Sequence, residues 1–431
     1  MSEPRLFRAL RHRNFRLYIA GQLVSLVGTW LQSVAQSWLV YRLTDSPLLL
    51  GLTGFVGQAP VFFLAPLGGA AADRTDRRRL LIFTQSASAL LAGALGALTL
   101  LGHVTIAQVF VLAGLLGVVN AFDVPTRQSF VVEMVGREDL PNAIALNSSV
   151  VNAARILGPA LAGVLVAAVG EGWCFVLNAL SFLAVIASLV LIRVARRPLE
   201  RRPGSALAEI RAAWRFVADH PPVRALLLLL GLVSLTGMPF TVLMPIFADR
   251  ILGGGARELG ILLGASGVGA LTAALLLALR ESPRGLGRWV AVSATGFGTA
   301  LLLFSVSRSF WLSAGILAFT GFFMMMQMAA SNTLLQVLTP DALRGRIMAA
   351  YSMMFMGMAP FGALGAGASA HRLGAPVTVA AGGVVSILGG LVFARHLPGM
   401  RPSARALLAA QEHVGGEPPD AATPAAPAAA S

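Results

Sequence analysis

Arginines dominate the residues of this chain that could do chemistry. All 33 basic residues are arginine and lysine is absent. Four of these arginines stand close together after Gly69 and Asp73, between two long apolar stretches. Guanidinium groups beside a carboxylate form directed ion pairs, and basic connections between membrane spans favour the cytoplasmic side. This segment is therefore a candidate for ion pairing, as well as for setting the orientation of the chain in the membrane. Its candidate residues are Gly69, Asp73, Arg74, Arg77 and Arg78.

Arg155 is a second candidate, because it lies within a stretch that is otherwise apolar. A charge at the centre of a bilayer costs about 2.5 kcal/mol or more unless it faces a cavity or a partner. Ser148 and Pro159 fall on the same helical face. Two interpretations stay open. In the first, Arg155 attracts an anionic group of a substrate or responds to a carboxylate that takes up a proton. In the second, it is a structural arginine bonded to carbonyls, to Asp73 or to Asp123.

A polar stripe at steps of three and four runs through the first apolar stretch. A polar stripe inside a membrane needs water or another helix beside it. The two interpretations are a water-filled cavity and hydrogen bonding between helices, of which we expect the cavity. The residues of this stripe are Gln22, Ser25, Thr29, Gln32 and Gln36.

Several kinds of chemistry are missing from the sequence. It has no phosphate-cradling glycine loop followed by Lys-Ser or Lys-Thr, and no histidine or acidic cluster within the apolar stretches. We therefore predict no enzyme, no cofactor and no metal site. Acidic residues lie near the predicted ends of the apolar stretches, and Asp123 is the first candidate for a proton carrier.

The composition indicates an integral membrane protein. Of 431 residues, 56% are hydrophobic and 12% charged, and the mean hydropathy is +0.76. The net charge of +14 fits contact with anionic lipid better than contact with nucleic acid. Since a span needs about 20 apolar residues, we predict twelve, at 16–41, 47–72, 79–101, 104–123, 143–169, 173–194, 224–248, 258–280, 288–307, 310–335, 346–370 and 376–396.

The arginines are distributed unevenly about these spans. From a cytoplasmic N-terminus, 27 fall in or beside cytoplasmic segments, five face the other side, and Arg155 lies within a span. Because basic residues accumulate on the cytoplasmic side, we expect a multi-pass protein of a bacterial-type inner membrane with both termini in the cytoplasm.

The chain divides into two similar halves. Residues 133–144 match 336–347 at an offset of 203 positions. We predict an N-terminal six-helix half at 1–193, a cytoplasmic linker at 194–223, a C-terminal half at 224–397 and a disordered cytoplasmic tail at 398–431. In the linker, Leu207, Ile210, Trp214 and Val217 recur at helical spacing, which predicts a short helix on the inner leaflet. A six-plus-six duplication is typical of transporters whose halves rock about a central site.

Three motifs carry a resemblance to a known family, over about residues 5 to 397. The segment Gly69-x-x-x-Asp73-Arg74-x-x-Arg77-Arg78-Arg79 resembles the cytoplasmic signature of the major facilitator superfamily. Gly158-Pro159, with Gly163, resembles the antiporter signature of its drug:proton exporters. The opening from Phe15-Arg16 to Ser46-Pro47 is similar to the superfamily branch that exports siderophores and macrolides.

The resemblance implies an all-helical membrane protein whose twelve spans form two pseudo-symmetric halves. It implies a secondary active transporter, a proton-coupled exporter of amphipathic drugs or siderophore-like molecules that works by alternating access. A lipid or lysolipid flippase is the alternative, followed by a membrane sensor that transports nothing. The expected partners are the small-molecule substrate, protons and anionic lipid, without nucleic acid, and we predict a monomer.

The resemblance also implies roles for particular residues. The segment around Asp73 would act as a gate, the alternative being an orientation anchor only. Gly158 and Pro159 would resist leakage or would form an ordinary packing kink. The first, fourth, seventh and tenth spans would line a central cavity, which adds these candidates to the stripe of the first span: Asn120, Ser234, Thr241, Thr320, Met324, Gln327 and Ser331.

Overall fold

Helices account for every regular element in the described part of the chain. The computed structural model describes residues 5–136, 139–193, 206–280 and 285–415. Within these ranges twelve helical segments are long and apolar enough to cross a membrane, as predicted. We number them span 1 to span 12: Arg13–Thr44, Pro47–Arg74, Arg77–Leu100, Ile106–Val135, Asn142–Val169, Glu171–Leu191, Pro221–Ile251, Ala256–Ala278, Leu286–Val306, Phe310–Leu338, Leu343–Leu373 and Ala375–Ala404.

Short capped connections join several of the consecutive spans. Only Thr75 and Asp76 separate spans 2 and 3, and the Asp76 side chain accepts a hydrogen bond of 3.1 Å from the backbone amide of Arg79. Ser46 caps span 2 in the same way, with Pro47 at the first helical position. The segment from Gly69 to Arg78 therefore consists of the ends of two helices rather than a long loop.

The two halves repeat the same helix packing. In the first half, span 1 packs against spans 5 and 6, span 2 against span 4, and span 3 against spans 4 and 6. The second half makes the equivalent contacts: span 7 packs against spans 11 and 12, span 8 against span 10, and span 9 against spans 10 and 12. Between the halves, span 2 packs extensively against span 11, and span 5 packs extensively against span 8. The pseudo-symmetry that relates the halves exchanges these two contacts, because span 2 corresponds to span 8 and span 5 to span 11. The fold is thus the pseudo-symmetric arrangement that the sequence predicted.

Two glycine pairs allow the halves to approach closely. A Cβ atom on Gly163 of span 5 would lie 2.9 Å from the Cα of Gly260 in span 8. In the symmetric contact, a Cβ on Gly51 of span 2 would lie 2.8 Å from the Cα of Gly367 in span 11. Real Cβ atoms do not sit so close to backbone, so any side chain here would push the spans apart. Gly163 and Gly367 are 204 positions apart, close to the predicted offset of 203.

Span 7 is irregular along its second half. An α-helix over Pro221–Thr236 gives way to a 3-10 helix over Met238–Leu243 and to a π-helical turn over Phe247–Ile251. Proline lacks a backbone donor, and this segment carries Pro239 and Pro245. Such backbone is tolerated at membrane depth where protein surrounds it. Most of this segment is buried.

Some helices end later than the sequence predicted. Span 4 continues to Val135, whereas the prediction ended it at 123. The last helix runs from Ala375 to Gly415, so residues 398–415 are helical where disorder was predicted. Alanine, leucine and arginine, which are strong helix formers, dominate its end. Residues 416–431 of the predicted tail lie outside the described residues.

The predicted linker contains a helix at the predicted place, Ala206–Asp219. It packs against the start of span 11 and against span 7. Val217 is buried there, whereas Trp214 and Arg215 are exposed. The placement of this helix on the inner leaflet stays a prediction, and residues 194–205 of the linker lie outside the described part of the chain.

Candidate functional site

The arginine segment between spans 2 and 3 bonds to its own half. One guanidinium nitrogen of Arg77 lies 3.2 Å from the Asp73 carboxylate, and the other donates to Glu133 of span 4 at 2.7 Å. Arg78 donates to two carbonyl oxygens at the end of span 6, at 2.5 and 2.6 Å. These bonds fix the ends of spans 2 and 3 to spans 4 and 6. They do not cross to the second half.

Part of this segment presents an open surface. The Asp73 side chain is 73% exposed, and Arg74 is also exposed. A Cβ atom on Gly69 would meet nothing within 4 Å. Asp73 and Arg74 follow Gly69 by four and five residues along span 2, about one helical turn. In this arrangement the predicted gate residues are together but do not hold the halves to each other.

At the other end of the bundle, four residues join the halves. We call Tyr41, Asp45, Asp249 and Arg250 the clasp. The Tyr41 hydroxyl donates to the Asp249 carboxylate at 2.5 Å, and Arg250 forms an ion pair with Asp45. Span 1 supplies the first two residues at its end, and the π-helical turn of span 7 supplies the others. π-Helical turns often occur at functional sites.

In the sequence, Asp45 and Asp249 lie near predicted span ends, and nothing beside them indicates that they belong to one contact. Asp45 and Asp249 are 204 positions apart, so they occupy equivalent places in the two halves. The repeat offset was therefore the signal that could have found the clasp.

Asp123 lies inside span 4 rather than at its end, which corrects the prediction. Its side chain is only 1% exposed. One carboxylate oxygen accepts from Thr84 at 2.7 Å and from Gln85 at 2.8 Å, and the other pairs with Arg127 one helical turn away. Three donors therefore converge on this one carboxylate. The spacing of four residues between Asp123 and Arg127 was the sequence signal for this pair.

Arg155 lies where three spans of the two halves meet. Its guanidinium carbon is 5.8 Å from the centre of the Trp30 ring in span 1, and one nitrogen is 3.9 Å from the Met324 sulfur in span 10. We call Trp30, Arg155 and Met324 the central seam. Among the described residues no carboxylate lies within 4.0 Å of Arg155. The interpretation of Arg155 as bonded to Asp73 or Asp123 is therefore wrong.

The polar stripe of span 1 divides between two environments. Gln22, Ser25 and Gln32 are buried, and the Gln32 side-chain oxygen accepts from Asn178 of span 6 at 2.6 Å. This bond matches the helix-to-helix interpretation at Gln32. Thr29 is exposed and donates to the carbonyl of Ser25 at 2.9 Å. Two further candidates are half-buried, namely Gln36 of span 1 and Asn120 of span 4.

The candidates in the second half are mostly buried. Ser234 of span 7 donates to a carbonyl of span 11, and Thr320 donates to its own helix. Thr241 is exposed. On span 10, Gln327 and Ser331 are 1% and 0% exposed, and their side-chain nitrogen and hydroxyl have no hydrogen-bond partner in the described structure. The structure thus brings Arg155 and Met324 together and places Gln327 and Ser331 on the same helical face as Met324.

The antiporter-like motif makes two kinds of contact. A Cβ on Gly158 would meet the backbone of span 1 within 3.3 Å, whereas Gly163 approaches span 8 of the other half. The carbonyl of Pro159 faces Gly260 in the same contact. The motif therefore packs span 5 against both halves. It supplies no titratable group.

The N-terminal segment docks on the start of the fifth helix. His12 lies 2.8 Å and Arg8 3.2 Å from the Asp139 carboxylate. The hydrogen bond with His12, helped by the charge of Arg8, holds the pKa of Asp139 below its ordinary value. This contact lies at the same end of the bundle as the arginine segment.

Comparisons with known proteins agree with this architecture. A family model described as transmembrane secretion effector matches residues 6–417. The staphyloferrin A transporter of Staphylococcus aureus is 25% identical over 352 residues, covering 81% of this chain and 87% of that protein. The enterobactin exporter EntS of Shigella boydii is 26% identical over 336 residues, covering 78% and 80%.

Solved structures show the same fold at low sequence identity. The nucleoside transporter NupG has a TM-score of 0.70 at 12% identity, with 89% of this chain and 99% of that one covered. A bacterial homologue of the lysosomal transporter Spinster, in an inward-facing and unoccupied conformation, has a TM-score of 0.61 at 13% identity, covering 95% and 99%. The family model spans nearly the whole sequence, and the chain belongs to the transmembrane secretion effector family of the major facilitator superfamily.

Proposed function

We propose that this chain is a secondary active exporter of amphipathic organic compounds, driven by the proton gradient through alternating access. The observation that carries the proposal is the uneven bonding of the halves. The clasp joins them at one end, while the surface of Gly69, Asp73 and Arg74 stays open at the other. Such asymmetry is expected of one state of a transporter whose halves rock about a central site.

The direction of transport draws its support from the relatives, one of which is an exporter, while the orientation decides which end of the bundle faces the cytoplasm. We place the arginine-rich end in the cytoplasm, because basic residues accumulate on that side. The bundle would then be open inward and closed outward by the clasp. Substrate would enter from the cytoplasm or the inner leaflet, and rocking of the halves would release it outside.

The substrate class draws support from the relatives. The two curated relatives named above are a staphyloferrin A transporter and an enterobactin exporter. At about a quarter identity they support siderophore-like molecules or drugs as a class, without selecting one compound. A buried seam that contains an aromatic ring, a thioether and a cation suits amphipathic molecules of this kind.

Asp123 remains the proposed proton carrier, since it is a carboxylate buried within a span. Taking up a proton there would break its pair with Arg127. Asp123→Asn alone would leave the half-buried Arg127 without its carboxylate, which is destabilising. The double variant Asp123→Asn, Arg127→Gln removes both charges and should export without a response to the proton gradient.

Transport into everted membrane vesicles tests the proposal. With an imposed proton gradient, we expect accumulation of amphipathic dyes that stops when the gradient is dissipated. Movement of a fluorescent lysolipid without dye uptake would favour a flippase instead. If neither probe moves although the chain is inserted, the transport proposal fails and a sensor role gains support.

A further inference from the structure

We propose that an anionic group of the substrate binds beside the central seam, held by Arg155 of the first half and by Gln327 of the second, with Ser331 one turn further along the same face of span 10. This inference rests on the proposed export function and names the chemical class of its substrate. The ligand class is an amphipathic molecule with a carboxylate, phenolate or phosphate group.

Arg155 carries a charge that has no anionic partner in the described structure. Its contacts are the face of the Trp30 ring and the Met324 sulfur, at 5.8 and 3.9 Å. Neither group carries a negative charge, and the described part of the chain offers no carboxylate within 4.0 Å. Charged residues inside spans usually face a partner or mark a substrate pathway. An anion from outside the protein would supply the missing partner.

The opposite half supplies polar groups that also lack partners. Gln327 and Ser331 follow Met324 by three and seven residues, so all three lie on one face of span 10. Met324 contacts Arg155, which shows that this face points towards the seam. The side-chain nitrogen of Gln327 and the hydroxyl of Ser331 are buried and have no partner within the described ranges. Buried polar groups without partners are costly.

These groups select the sign of the ligand charge. An amide nitrogen only donates hydrogen bonds, a hydroxyl can donate, and a guanidinium has five donors and no acceptor. An oxyanion accepts from all of them. A cation would be repelled by Arg155 and would find no carboxylate among the described residues around it.

The rest of the seam explains why the ligand should also have an apolar part. Trp30 offers an aromatic face and Met324 a flexible thioether, and both adapt to apolar bodies. Since Arg155 and Gln327 belong to different halves, an anion that bonds to both favours the state in which the halves are close at this depth. A ligand shifts such an equilibrium only by its differential affinity for the two states.

Matched probes can test the inference. Dansyl-undecanoic acid carries a carboxylate, whereas its methyl ester has the same apolar body without the charge. Binding to the purified full-length chain in detergent is followed by dansyl fluorescence, and export is followed in everted vesicles. We expect the acid to bind and to be exported, and the ester to bind about tenfold more weakly or worse.

Variants identify the groups responsible. Arg155→Gln should weaken binding of the acid about tenfold or more while leaving ester binding unchanged. Arg155→Lys should retain part of the affinity, since it keeps the charge but loses the planar donors. Gln327→Leu should cost a few-fold. The matched controls are Arg308→Gln, which bonds to carbonyls outside the seam, and Gln336→Leu on span 10, which bonds to Asn332.

Two results would overturn the inference. One is equal binding of acid and ester by the wild-type chain, and the other is unchanged acid binding in folded Arg155→Gln. Selective binding of the acid without gradient-driven export would keep the anion site and reject the exporter. Displacement of the acid by lysophosphatidylglycerol, with no export of the acid, would identify a lipid headgroup as the source of the anion.

Discussion

Asp73 has one bonding partner in the described structure, Arg77, although most of its carboxylate surface is exposed. A residue needed only for orientation would not have to be acidic, because arginines set orientation. The glycine one turn before it leaves open space at the same surface. Both facts are expected if another segment packs here when the bundle closes at this end.

We therefore expect Asp73→Asn to lower export about tenfold or more, because the variant loses the charge that the closed state would use. Binding of substrate in the arrangement described above should change little. Initial rates in everted vesicles, normalised to inserted protein, measure the effect. Asp76→Asn is the matched control, since asparagine can still cap span 3. Normal flux in Asp73→Asn would leave only the anchoring role.

Single residues were also the least predictable from sequence. Gln32 and Thr29 share a stripe in sequence, yet Gln32 bonds to a helix 146 positions away and Thr29 is exposed. Periodicity assigns a residue to a face of its own helix. It does not say which other helix covers that face.

Among the helices, the span 5–span 8 and span 2–span 11 contacts decide how the halves meet. Both have glycines where backbones touch, at Gly163 with Gly260 and at Gly51 with Gly367. In membranes, small residues replace the hydrophobic effect as the basis of close helix packing. The sequence showed Gly163 as part of a motif. Its partner became visible only when the helices were placed side by side.

We expect Gly163→Val to separate the ends of spans 5 and 8, because its Cβ would lie 2.9 Å from the carbonyl oxygen of Ala256. The separation should weaken closure at the clasp end and slow export several-fold. Distances between spin labels on the two spans, in a Cys174→Ala background, measure it. Gly315→Val is the control, since a Cβ there meets nothing within 4 Å. Equal distances in both variants would contradict the assigned contact.

For the molecule as a whole, the clasp and the arginine segment lie at opposite ends of the bundle. The clasp joins the halves, whereas the described bonds of Asp73, Arg77 and Arg78 stay within the first half. The docked contact of His12 with Asp139 adds a further bond within that half at the arginine-rich end. If the halves move as units, opening at one end requires the clasp to release.

We expect Tyr41→Phe combined with Asp249→Asn to raise the population that is open at the clasp end, because the double variant removes a half-buried hydrogen bond between the halves. A several-fold increase in labelling of cysteines placed beside the clasp should follow. Exchanging the charges, Asp45→Arg with Arg250→Asp, should retain closure better than either change alone. Arg42→Gln is the matched control, since Arg42 bonds to Glu171 within the first half at 2.8 Å. Similar labelling in the control and the clasp variants would rule out this role.

The sequence by itself determined the number of spans, the helical class and the duplicated halves, because hydropathy, span length and repeat spacing can be read along the chain, and its motifs carried the resemblance to the family. Tertiary structure alone decided which polar groups are paired. It gave Asp123 three donors, tied Gln32 to Asn178, closed the clasp through Tyr41 with Asp249 and Arg250 with Asp45, and left Arg155 without an anion. The physical reason is that a polar group inside a membrane must find its partner on a neighbouring helix, and the neighbours of a helix are set by packing.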